Sequence, residues 1–157
     1  MRPRTVLSAV AAAFAALGLA GCSVPGTGVT GLVVHEGSVH AIVRTCAGVT
    51  ANEVHMIPAE GQFFLIPHPT WSFEDSSDVA ADLGSLKDFL ALVGDKQQGF
   101  QSTVSDGVGG YIRFDSTDLE GLDEGMILAS TRTRADNTVV DAEGFEQLLA
   151  SVCENPY

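Results

Sequence analysis

The chain has 157 residues, 45% of them hydrophobic, with 8 Lys and Arg against 20 Asp and Glu and a formal net charge of −12. That length fits a single domain. The acidity argues against nucleic acid as a partner and against electrostatic docking on anionic lipid, because both carry the same sign as the protein.

The N-terminus opens with the basic Met1-Arg2-Pro3-Arg4 and is then apolar or small from Thr5 to Leu17, with alanines at 11, 12, 13, 15 and 16. This stretch is shorter than the about 20 residues that a spanning helix needs. A positive start, a short apolar core and a small-residue exit mark a secretory signal. The exit reads Leu19-Ala20-Gly21-Cys22, which resembles the lipobox of bacterial lipoproteins. The resemblance implies a diacylglycerol on the Cys22 sulfur, cleavage before Cys22 and residence on the extracytoplasmic face of a cell membrane. Two acyl chains hold a protein on a bilayer where one does not.

The expected organisation is therefore a signal peptide at 1–21, the lipidated cysteine and a flexible Gly- and Pro-bearing tether at 22–30, and one β-rich domain at 31–157. Eight extended residues after Cys22 would reach about 26 Å. Removing residues 1–21 takes Arg2 and Arg4 away, so the mature chain has a formal charge of −14. Its membrane residence would rest on the acyl group alone. With Cys22 assigned to lipid, Cys46 and Cys153 remain, in a compartment that favours oxidation. They are expected to form a disulfide closing a loop of about 108 residues, worth on the order of 4–5 kcal/mol in the loop-entropy model.

Beyond the tether the pattern reads β. Leu32 to His35, a Glu36-Gly37 turn and Val39 to Cys46 predict a hairpin. Further strands are expected at Glu53 to Ile57, at the unbroken apolar run Phe63 to Ile66 (ended by Pro67 and Pro69), and at Trp71 to Phe73. Ser85 and Asp88 resemble a capping box ahead of a helix carrying Leu86, Phe89, Leu90 and Val93, ended by Gly94. Gly107-Val108-Gly109-Gly110 reads as a flexible turn before a strand at Tyr111 to Phe114. Strands follow at Met126 to Thr131 and Val139-Val140. A last helix is capped by Asp141, carries Phe145, Leu148, Leu149 and Val152, and is stopped by Pro156. The fold class is mainly β: an antiparallel β-sandwich or half-barrel with one or two short helices, α+β in arrangement.

The whole layout is similar to the small Cys-anchored lipoproteins of high-GC Gram-positive bacteria. The matching features are the Leu19-to-Cys22 tetrapeptide, a hairpin ending in Cys46 and a C-terminal helix ending in Cys153. This resemblance implies location rather than chemistry.

Two clusters of side chains invite a chemical reading. His35, His40 and His55 fall on neighbouring predicted strands, and three imidazoles on one face would suit zinc or copper. A two-residue turn at Glu36-Gly37, however, sets Val34 opposite Val39 and leaves His35 diagonal to His40. Asp115, Asp118, Glu120, Asp123 and Glu124 offer hard oxygen ligands of the kind calcium takes, but not in the order of an EF-hand loop. They read more simply as a solvated acidic loop, and His68, between two prolines, as a loop residue. No Gly-x-Ser-x-Gly, His-Glu-x-x-His or Ser-x-x-Lys signature is present, so nothing points to an enzyme. No cofactor is expected beyond the covalent acyl chains. The leading expectation is a membrane-anchored binding or interaction module engaging an envelope protein or glycan. Behind it come a metal-handling protein using the strand histidines and a cell-envelope hydrolase.

Overall fold

The computed structural model describes residues 26–58, 69–105, 108–130 and 137–155. The first strand, β1 (Gly28–His35), is buried from Gly28 to Val34. A run that is apolar or small on both faces can be covered on both. The next strand, β2 (Ser38–Thr45), alternates instead, turning Val39, Ala41, Val43 and Thr45 inward. Glu36 and Gly37 join them with φ of 49° and 76°, the pair of positive values that a type I′ hairpin turn requires. The register then follows as expected, with Val34 opposite Val39 and His35 opposite Ser38.

The remaining elements in chain order are β3 (Ala51–Pro58), β4 (Thr70–Ser76), β5 (Asp78–Ser85), α1 (Leu86–Val93), β6 (Gln98–Val104) and β7 (Val108–Phe114). After them come α2 (Ser116–Glu120), β8 (Ile127–Ser130), β9 (Asn137–Val140) and α3 (Ala142–Glu154). They form a five-stranded sheet of order β5-β2-β1-β8-β9 and a four-stranded sheet of order β4-β3-β6-β7. Every strand pairing is antiparallel. The mainly β fold with packed antiparallel sheets is thus the one the sequence predicts.

The two sheets face each other across a core that includes Leu32, Val43, Val54, Phe100, Ile112 and Phe114. Helix α1 closes this core with Phe89 and Val93. It starts where the Ser85 hydroxyl accepts the Asp88 amide, and it stops at Gly94, whose φ is 65°. Aromatic rings line the closure: Trp71 lies 6.1 Å from both Phe89 and Phe100, and Phe89 stacks on Phe114 at 6.2 Å. Such pairs add to the burial of their area.

The other face of the five-stranded sheet is covered by α3. Val29, Val33, Ile127 and Ala129 meet Phe145 and Val152 there in a second, smaller cluster. Phe145 sits flush against the sheet because position 31 has no side chain. A Cβ on Gly31 would stand 2.4 Å from the Ile127 methyl and 2.9 Å from the Phe145 ring. Asp141 caps this helix by accepting the Gly144 amide, as its position in the sequence predicts.

Four features differ from the sequence expectations. The folded domain takes in part of the expected tether: Gly26 to Thr30 are buried and β1 starts at Gly28, so these residues belong to the domain rather than to a flexible link. Within the glycine run, Val108, Gly109 and Gly110 belong to β7 and not to a turn. Gly110 lets the two sheets approach, and Gly109 leaves room for Ser102 of its own sheet. A Cβ on Gly109 would fall 1.9 Å from the Ser102 hydroxyl, and one on Gly110 2.7 Å from the Thr30 amide nitrogen. At this contact Thr30 Oγ1 donates to the Gly109 carbonyl at 3.0 Å. Because a hydroxyl has one hydrogen, Ser102 Oγ must be the donor in its 2.8 Å bond to Thr30 Oγ1. Strands β5 and β6 were not foreseen, and α2 adds a third helix. The apolar run at 63–66, His68 and the lipobox lie outside the described residues.

Candidate functional site

The three histidines do not come together. His35 and His40 are on the five-stranded sheet, whereas His55 is on β3 of the other. His35 ends β1, and its Nδ1 lies 2.9 Å from Glu124 Oε1 with both side chains exposed. The same oxygen accepts the Glu36 amide at 2.8 Å, so Glu124 clasps the hairpin turn. His40 sits opposite Val33 and Asp82. Among the described residues no group of three or more His, Cys, Asp or Glu is arranged to hold a metal ion.

The acidic segment also has a structural use. Asp115 Oδ1 accepts the Thr117 and Asp118 amides and the Thr117 hydroxyl, and Asp118 accepts the Asp115 amide. This is a reciprocal capping box that starts α2. The Thr117 hydroxyl, with the two backbone amides, holds the Asp115 carboxyl below its ordinary pKa. A D-x-x-D spacing was therefore the readable signal, and a helix start was its meaning.

Cys46 and Cys153 are joined by a disulfide, with Cα atoms 5.6 Å apart and 107 residues between them in sequence. The bridge fastens the last turn of α3 to the residue that follows β2. The same end of the sandwich receives the chain: the Cys46 amide donates to the Thr27 carbonyl at 2.8 Å, and Gly28 pairs with Thr45. Nearby, Arg44 forms ion pairs with Asp78 and, at 3.4 Å, with Glu146 of α3. Thr27 is buried, and its hydroxyl has no hydrogen-bond partner among the described residues. Among those residues no helix is long and apolar enough to cross a membrane.

Among the described residues, one broad face belongs neither to the core nor to the α3 cluster: the outer face of the four-stranded sheet. Strand alternation puts Glu53 and His55 of β3, Gln101 and Thr103 of β6, and Tyr111 and Arg113 of β7 on it. The register lines up Thr70, His55, Gln101 and Tyr111 across the four strands. The Tyr111 ring lies over Gly99, where a Cβ would meet its hydroxyl at 2.4 Å. His55 Nδ1 is 3.6 Å from Glu53 Oε1. Of this row, His55, Thr70 and Tyr111 are each engaged in further contacts, and the half-buried Gln101 contributes an amide with both donors and an acceptor. Sequence reading missed this row because β6 was unseen, and β6 supplies its centre. Compared with family profiles, curated proteins and solved structures, the chain matches none.

Proposed function

We propose that this protein is an extracytoplasmic lipoprotein, held on a cell membrane by a diacylglycerol on Cys22, that works as a binding module in the cell envelope. The observation that carries the anchoring is the fate of the other cysteines. Cys46 and Cys153 are joined to each other, so Cys22 is the cysteine left over; it follows Leu19-Ala20-Gly21 and lies four residues before the buried Gly26 in sequence. The binding role is supported by the polar outer face of the four-stranded sheet around Gln101 and Thr103, which among the described residues neither the core nor α3 covers.

The anchor is tested with Cys22→Ala expressed in the native host. The variant is expected in the soluble extracytoplasmic fraction, without incorporation of an alkyne-tagged fatty acid; a variant that stays with the membrane overturns the anchor. The binding face is tested by placing a photo-crosslinking residue at position 101, with position 150 on the exposed side of α3 as the control. An envelope protein or glycan captured from 101 and not from 150 supports the module. Equal capture from both positions, or none from 101, removes it.

A further inference from the structure

Because Gly26 is already buried and β1 begins at Gly28, only residues 23, 24 and 25 lie in sequence between Cys22 and the buried backbone at residue 26. We infer, building on the anchored reading above, that the Thr27–Cys46–Cys153 end of the sandwich is seated against the lipid headgroups and that the Glu36-Gly37 turn points away from the membrane.

Four Cα-to-Cα steps from Cys22 to Gly26 extend at most about 14 Å. The expected tether was roughly twice as long, because it counted five residues that in fact lie inside the domain. Strand β1 runs from that entry point to the hairpin turn over about 24 Å, and α3 returns antiparallel to β9 to end at Cys153. Gly26, Cys46 and Cys153 therefore mark one pole of the molecule. The clasp of His35, Glu36 and Glu124 marks the other.

Charge does not choose between the poles. At the anchored pole Arg44 offsets one of Asp78 and Glu146, and Glu154 is exposed beside Cys153; the far pole exposes Glu36, Asp123 and Glu124. Both ends are acidic and are repelled by an anionic leaflet, so the short link alone holds the near pole in. What the near pole meets is the lipid headgroup surface.

The test is paramagnetic relaxation on the full mature, acylated protein in nanodiscs of anionic lipid, a few headgroups of which chelate gadolinium. Amides of Ala47, Gly48 and Glu154 are expected to relax faster than those of Gly37 and Asp123 by about tenfold or more, given the two distances. Relaxation that is uniform, or strongest at Gly37 and Asp123, overturns the seating. If the anchored reading itself is wrong, the protein fails to co-migrate with the discs and no amide relaxes, which is a different outcome. A second sample carries ten Gly and Ser residues inserted between Val24 and Pro25. Collapse of the gradient supports the short link as its cause, and an unchanged gradient overturns that cause.

Discussion

Strand β1 has two buried faces, and the two hydrophobic clusters it joins are built on different terms. Toward the four-stranded sheet it contributes Leu32 and Val34 to a core that, among the described residues, has 18 buried members and includes Phe89, Phe100 and Phe114. Toward α3 it contributes Val29 and Val33 to a cluster of six described residues. At roughly 1.5–3 kcal/mol for each large apolar side chain buried, the first core can hold the sheets together unaided. The second holds a single helix of 13 residues and is supplemented by a disulfide and by the Arg44–Glu146 pair. Where a cluster is small, covalent and ionic contacts stand in for area.

The largest effect comes from the first core. Phe114→Ala is expected to destabilise the whole domain by about 3–5 kcal/mol, read as a lower urea midpoint reported alike by every probe. Removing the bridge with the double variant Cys46→Ala, Cys153→Ala should cost about 2–5 kcal/mol. Here the comparison is sharpened by where the loss appears. Amide exchange should speed in α3 ahead of β6. Equal loss of protection in both would show one cooperative unit and break the distinction between the two clusters.

A smaller effect is expected at the notch for Phe145. Gly31→Val should destabilise by about 1–3 kcal/mol by overpacking against Ile127 and Phe145. It should do less in the variant without the bridge, where α3 is free to shift. Thr27→Val goes the other way. It removes a buried hydroxyl that has no partner among the described residues and should stabilise by about 1 kcal/mol in thermal denaturation. The smallest is a pH effect outside both clusters. The Asp115 carboxyl is held below its ordinary value, first by the Thr117 hydroxyl and then by two backbone amides. Its contribution is full above the unfolded-chain pKa of aspartate and fades as the pH falls through the folded value. Chemical shifts of the α2 amides should record that loss in acid, and Asp115→Asn should flatten it.

The parts of this fold that could be read from the sequence are those whose signals are local. The β1–β2 hairpin needed only a two-residue turn and alternating Val39, Ala41 and Val43. Helices α1 and α3 needed only Ser85 and Asp141 in front of apolar residues at helical spacing. The parts that could not be read depend on distant partners. Strand β6 is central to its sheet, yet Gln-Gly-Phe-Gln-Ser-Thr-Val has two apolar side chains, Phe100 and Val104. Ser102 is tolerated in its buried row because Thr30, 72 residues away in sequence, accepts its hydrogen. Strand β5 is an edge strand whose Asp, Ala and Gly content hides the inward alternation of Val79 and Leu83. The histidine trio failed for the same reason: proximity in sequence concealed that β2 and β3 belong to different sheets. The row through Gln101 could not be seen before β6 was.

The entry of the chain through β1 also decides how the molecule would bear a load. A pull at Gly26, resisted by something gripping the far pole, runs along the axis of the strand at the centre of the five-stranded sheet. The ladder bonds to β2 lie across that axis along the whole strand, and those to β8 along part of it. They are therefore sheared together instead of being opened one after another. The stretch beyond Cys46 that the disulfide encloses stays shielded while the link bears the tension. Under tension between the two poles, β1 would give way late, by shear of its ladders, with the stretch closed by the disulfide left intact.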